Sequence, residues 1–213
     1  MTAWLRRFTA TCTIAIVSTV DASSVAIASN RADRGASGCV VPVETRLNHI
    51  RSSEPALEKA LEDGFSRSPL FRRLVQRIEL LNGIVYLSAG AVIRRGPPGE
   101  EFHRIAGATS LAVVPAGDYR ILRTSVELRS SNRTVAILGH ELQHVVEILE
   151  TPEARDLRSV ERLFARIGYL AGPGTYETTE AQQAGDQVFK ELSRCPAQVP
   201  PAMSEPVFRI VTR

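Results

Sequence analysis

Five residues constrain this chain more than any others: His140-Glu141-Leu142-Gln143-His144, set inside a stretch of helical periodicity. Residues four apart on a helix share a face, one turn from each other, so both imidazoles can reach one metal ion. Glu141, beside the first histidine, can reach a water held by that ion rather than the ion itself. It can then take the water's proton and pass it to a leaving group. Imidazole suits zinc, and a catalytic zinc keeps three protein ligands and an open position for water. Leu138, Leu142, Val145 and Leu149 form an apolar stripe from which the histidines are offset. The pattern predicts a helix over residues 132–150, with Ser131 or Asn132 as N-cap and Thr151-Pro152 as its stop. The bland alternative is a pair of ordinary histidines on a helix surface.

A third ligand is needed. No histidine follows His144, and Glu147 stands where the pattern HExxHxxGxxH requires glycine, so a carboxylate must serve. Glu177 and Glu180 open a predicted helix over residues 177–193, just after the loop Gly172-Pro173-Gly174. Glu177 is preferred because it lies nearest the loop, in the first turn. Steps of four and eight residues from it reach Ala181 and Gly185, small residues that allow close packing on the motif helix. Either glutamate could instead be a favourable charge at a helix N-terminus. Glu147 shares the histidines' face and is either a carboxylate that orients a ligand or a solvated glutamate. His49 and His103 have no partner at ligand spacing and read as ordinary histidines, while Tyr169 and Tyr176 are candidate oxyanion donors.

The remaining pattern alternates between helical and extended periods. Helices are predicted over residues 54–65, 69–81 and 156–167, the second opened by Ser68 and Pro69. Strands are predicted over residues 84–93, 105–114 and 119–128, with a loop at Gly96-Pro97-Pro98-Gly99 and a hairpin turn at Pro115-Ala116-Gly117-Asp118. The expected fold is α+β: a small, mostly antiparallel sheet packed on the motif helix, followed by two further helices.

Residues 1–28 read as a secretory signal. Arg6 and Arg7 precede a mostly apolar run over residues 8–20, and Ala26-Ile27-Ala28 supplies the cleavage pattern. The run is too short and broken to span a bilayer. One domain over residues 29–213, periplasmic or secreted and without stable membrane insertion, is the expected mature product. Signal removal takes away Cys12, which lies in no convincing lipobox, and leaves Cys39 and Cys195 as an expected disulfide. The 26 basic and 23 acidic side chains are interleaved, giving a net charge of +3 without a basic block, which argues against a nucleic-acid partner.

A helix bearing His140-Glu141-Leu142-Gln143-His144, preceded by a small sheet and followed by a glutamate-bearing helix, resembles the gluzincin branch of zinc metallopeptidases. The resemblance implies Zn2+ held by His140, His144 and a downstream glutamate, with Glu141 as general base and a peptide or protein as substrate. It also implies that the strand over residues 119–128 is a sheet edge that pairs with extended peptide. More loosely, the chain is similar to small exported bacterial proteins carrying this motif. It departs from the gluzincin Glu-x-x-x-Asp pattern: position 181 is alanine, and Asp186 lies six residues beyond Glu180. The expected function is a zinc-dependent peptidase acting outside the cytoplasm. The alternative is a catalytically inert zincin-scaffold binding protein of the cell envelope, a role for which Glu141 is superfluous.

Overall fold

The computed structural model describes residues 15–16, 47–90, 92–94, 103–105, 107–112, 119–172 and 175–195. Apart from residues 15–16, the predicted signal lies outside this set. So do Cys39, the Gly96–Gly99 loop, the Pro115–Asp118 turn and the tail beyond Cys195.

Among the described residues the fold is α+β, with a small mixed sheet and five helices. In chain order the elements are β1 (Ala15–Ile16), β2 (Ile50–Ser52), α1 (Pro55–Arg67), α2 (Pro69–Glu79), β3 (Gly83–Ala89), β4 (Val92–Arg94) and β5 (His103–Ile105). They continue as β6 (Gly107–Ala112), β7 (Arg120–Val126), α3 (Ser131–Leu149), α4 (Leu157–Ile167), β8 (Tyr169–Gly172), β9 (Thr175–Glu177) and α5 (Thr179–Arg194). Among the described residues, no helix is long and apolar enough to cross a membrane.

The main sheet has the order β2-β3-β7-β6. Its β2/β3 and β3/β7 pairings are parallel and only β6/β7 is antiparallel, which corrects the expectation of a mostly antiparallel sheet. The helical pair α1–α2 carries the chain from β2 back to the same end of the sheet, the crossover that parallel pairing requires. β2, three residues long, is too short for its alternation to be recognised. A second correction follows from the order: β7 is an inner strand, paired on both sides, so the strand before the motif helix is not an edge. That place belongs to β6, whose register runs from Gly107 opposite Val126 to Ala112 opposite Ile121.

Helix α3 is the centre of the molecule. Its expected stripe of Leu138, Leu142, Val145 and Leu149 is buried, and so are Val135, Ile137, Val146 and Ile148 on other faces. A helix apolar around most of its circumference belongs in a core. It packs against α1, α2, α5, β6 and β7. α2 contributes Phe71, Leu74, Val75 and Ile78, and its N-cap Ser68 accepts from the Phe71 N–H at 3.1 Å. The sheet contributes Val85, Leu87, Leu122 and Val126.

Two arginines finish the helix ends. Arg120 at the start of β7 donates to the carbonyls of Ile148 (2.7 Å), Leu149 (2.5 Å), Thr151 (2.7 Å) and Ala154 (3.3 Å), closing the C-terminus of α3. Its cation sits at the negative end of that helix. Arg67 does the same for α5, donating to the carbonyls of Leu192 (2.8 Å) and Cys195 (2.6 Å) while paired with Asp63 at 2.6 Å. Cys195 is buried at this junction. Because Cys39 lies outside the described residues, the disulfide remains an expectation.

Candidate metal centre

Helix α3 crosses α5 closely because a glycine on each helix faces a side chain of the other. A Cβ at Gly139 would come within 2.9 Å of Val188 Cγ2, and one at Gly185 within 3.2 Å of His140 Cβ. Gly185 and the fully buried Ala181 thus provide the close approach that the sequence spacing anticipates. The segment leading into α5 is thereby brought beside the two histidines.

His140, His144 and Glu177 converge there. The two Nε2 atoms lie 3.2 Å apart. Glu177 Oε2 is 3.3 Å from His140 Nε2, and Glu177 Oε1 is 3.2 Å from His144 Nε2. Tetrahedral zinc with bonds of about 2.0 Å separates its ligand atoms by about 3.3 Å, so the spacing of these donors fits one such ion. Two imidazoles and a carboxylate also form a donor set suited to zinc. The Glu177 carboxylate carries a further sign: Oε2 is buried without a hydrogen-bond partner among the described residues. An orphaned buried carboxylate oxygen is costly unless a cation completes its coordination. The residues therefore fit the metal.

Glu177 does not come from the helix, as the sequence pattern predicts, but from the last position of β9, one residue before the N-cap Thr178. Glu180 is exposed in the first turn of α5 and takes no part in the cluster. The miss has a physical source: β8 and β9 form a short hairpin of four and three residues, too brief for strand periodicity to register.

Behind the donors sits a second tier of hydrogen bonds. Glu147 Oε2 lies 2.9 Å from His144 Nδ1, so the carboxylate fixes the ring with Nε2 facing the other donors. The other oxygen of Glu147 accepts from Thr178 Oγ1 at 2.8 Å and from Gln143 Nε2 at 3.3 Å. Thr178 also accepts from the Ala181 N–H at 3.1 Å as N-cap, and its own N–H donates to Glu177 Oε1 at 2.8 Å. One threonine thus links the start of α5, Glu147 and Glu177. Sequence reasoning overlooked it, although threonine directly before a helix is an N-cap signal.

Glu141 points to the other side, toward β6. Its Oε2 accepts from Thr109 Oγ1 at 2.8 Å, and Thr109 lies 3.1 Å from the Thr124 hydroxyl on β7. Its Oε1 lies where a Cβ on Gly107 would come within 2.5 Å, so only glycine lets β6 approach this closely. Neither Gly107 nor Thr109 stands out in the sequence, because their role depends on strand pairing.

The electrostatics follow from burial and pairing. Burial pushes the Glu141 carboxyl up, against the pull of His140, His144 and the Thr109 hydroxyl. Burial acts on Glu177 in the same direction, but the two imidazoles 3.2–3.3 Å away overcome it and hold the carboxyl below its ordinary value. For His144, burial favours the neutral ring, yet hydrogen bonds to Glu147 and Glu177 outweigh it and raise the pKa to about 9.

Other sequence candidates fall elsewhere. His49 is a packed histidine, its Nδ1 3.2 Å from the Ile78 carbonyl and its ring edge-on to Tyr119. His103 lies at the start of β5, which pairs with β4. The Tyr169 hydroxyl accepts from Gln182 Nε2 at 2.7 Å, and the Tyr176 ring stacks on Phe164, which meets His144 edge-on. Scans of protein-family models, of curated proteins and of solved structures each give no match to this chain.

Proposed function

We propose that the protein is a zinc-dependent peptidase of gluzincin type, exported from the cytoplasm and acting on a peptide or protein substrate. The observation that carries this reading is the convergence of His140 Nε2, His144 Nε2 and the Glu177 carboxylate at 3.2–3.3 Å, with Glu141 next to His140 in the chain. A zinc ion held by these three residues would lower the pKa of a bound water and polarise a substrate carbonyl.

The chain's own groups divide the remaining work. Glu141 acts as general base, taking the water's proton and returning it to the leaving amine. Thr109 donates to Oε2 of that carboxylate and so fixes its orientation against β6. Glu147 holds His144 in its tautomer, and Thr178 holds Glu147.

A second reading, an inert binding protein on the same scaffold, is favoured by one observation: His140, Glu141, His144 and Glu177 are each no more than 4% exposed. Zinc content per chain, measured by elemental analysis of protein purified without chelator, is the first experiment. Hydrolysis of a fluorescently quenched generic protein by wild type and Glu141→Gln is the second. About one zinc per chain with turnover abolished in Glu141→Gln supports the peptidase. Zinc bound with no turnover in either form supports the binding protein, and no zinc in folded protein overturns both metal readings.

A further inference from the structure

The cluster is closed, and the geometry of the strands around it indicates how. Glu177 ends β9, and the strand facing Glu141 is β6. Among the described residues β6 pairs in the main sheet with β7 alone, so its other side is an edge of that sheet. β9 belongs to the small sheet of order β1-β9-β8. β1, the segment Ala15–Ile16, pairs in parallel with β9, setting Ala15 opposite Thr175 and Ile16 opposite Tyr176, and it also packs against β6. Ala15–Ile16, from the chain's own N-terminal region, therefore lie beside both the strand that delivers Glu177 and the strand that faces Glu141. The four central side chains are 0–4% exposed with this segment in place.

We propose that the space between β6 and β9 is a slot for one extended polypeptide segment. In the unprocessed chain it is filled by β1, which shuts the metal centre, and loss of the N-terminal region opens it to other extended peptides. Adding a strand to β9 needs only main-chain hydrogen bonds, so the slot accepts peptide with little demand on sequence. The segment that fills it lies within the predicted export signal, so cleavage after Ala28 would remove the plug. A chain retained before export would then be latent. This consequence rests on the peptidase reading, whereas occupancy of the slot does not.

The experiment uses the metal-free full chain and two readouts that need neither metal nor turnover. Amide hydrogen exchange, followed by mass spectrometry, reports on the peptide covering Thr175–Glu177. Carbethoxylation of histidine by diethyl pyrocarbonate reports access to His140 and His144, with His49 as internal reference. Both are measured on the parent, on the double variant Ala15→Pro/Ile16→Pro, and on a control with Ser23→Pro. A fourth sample is the full chain with a specific protease site inserted after Ala28, cut after folding, which keeps the question answerable if the proline variant folds poorly. At least tenfold faster exchange in β9 and at least tenfold faster modification of both histidines are expected in the double variant and the cut chain. The control should match the parent. A synthetic peptide of residues 11–20 added to the cut chain should restore protection, and its scrambled counterpart should not. Equal rates in parent, double variant and cut chain overturn the proposal. Faster exchange with histidines still protected also overturns it, because β1 would then cover β9 without shutting the site. Failure to bind zinc would defeat the metal reading and leave both readouts intact.

Discussion

Glu147→Gln separates a carboxylate that tunes a metal site from one that merely caps a histidine. Glutamine keeps the size of the side chain and can still accept from Thr178 Oγ1, now 2.8 Å from Oε1. It removes the negative charge 2.9 Å from His144 Nδ1, and with it the partner that makes His144 a more basic ligand. Loss of such a partner typically lowers metal affinity 10–100-fold, or about 1.4–2.7 kcal/mol. With zinc held at 100 times the wild-type dissociation constant, binding stabilises the parent by about 2.7 kcal/mol. For a domain of this size that is a rise in Tm of about 5–11 °C. In the variant the same zinc concentration is only about 1–10 times the dissociation constant, so the gain falls to about 0.4–1.4 kcal/mol, or about 1–6 °C. Competition against a chromophoric chelator gives the affinity and paired thermal melts give the shift. An affinity within twofold of wild type would refute the argument that Glu147 acts through His144.

Other consequences can be checked separately. Arg120→Met removes the donor to four carbonyls at the end of α3 and should cost about 3 kcal/mol or more in a denaturant titration. A loss below about 1 kcal/mol would mean water replaces the guanidinium. Gly107→Ala should keep zinc and lose at least tenfold in turnover, since the new methyl meets Glu141 Oε1 at 2.5 Å. Unchanged turnover would show that Glu141 works from another position. In the metal-free protein, His144 has a folded pKa raised from 6.5 to about 9. Its contribution to stability is therefore fully present below about pH 6.5 and lost as pH rises through about 9. Zinc must displace that proton, so its apparent affinity should strengthen over the same window. Melts of apo and zinc-loaded protein across that range should diverge with rising pH, and parallel curves would contradict the assignment.

Legibility from sequence follows the length of the element. Helix α3, with 19 residues and an apolar stripe, is readable to within a residue at each end, although its N-cap is Ser130 and not Ser131 or Asn132; α2 is readable at its Ser68-Pro69 start but ends at Glu79, two residues before the expected end. The buried face of β7, Leu122, Thr124 and Val126, is equally plain from alternation. What escapes is short or relational. β2 and β9 have three residues each, and the parallel β3/β7 pairing depends on β6 lying outside β7, an order that no strand's own pattern states. Glu177 is legible as a candidate by its position after a loop, but its origin in a strand is not. Gly107 and Thr109 acquire their roles through Glu141, 34 and 32 positions away, and Thr178, though locally legible as an N-cap, meets Glu147 31 positions away; no local pattern encodes these partners.

The same relational view favours a metal over a structural ion-pair cluster as the reason for these side chains. Glu147 of α3 and Glu177 of β9 lie against the two imidazoles of the central helix, with the buried Glu141 next to His140 in the chain. Burial raises the Glu141 carboxyl and so penalises its charge, and Glu177 Oε2 is left without a hydrogen-bond partner among the described residues. As a device for stability this is poor, since apolar side chains of similar volume commonly do as well or better than buried ion pairs. A divalent cation between Nε2, Nε2 and the carboxylate changes the balance. It makes both histidines neutral ligands, supplies the missing partner for Oε2 and offsets buried negative charge. Replacing His140, His144 and Glu177 together by Leu, Leu and Gln should then raise the stability of the metal-free protein relative to metal-free wild type while abolishing zinc binding. If the triple variant is instead several kcal/mol less stable than the metal-free parent, the cluster is holding the fold together without a metal, and the case for a metal centre loses its energetic ground.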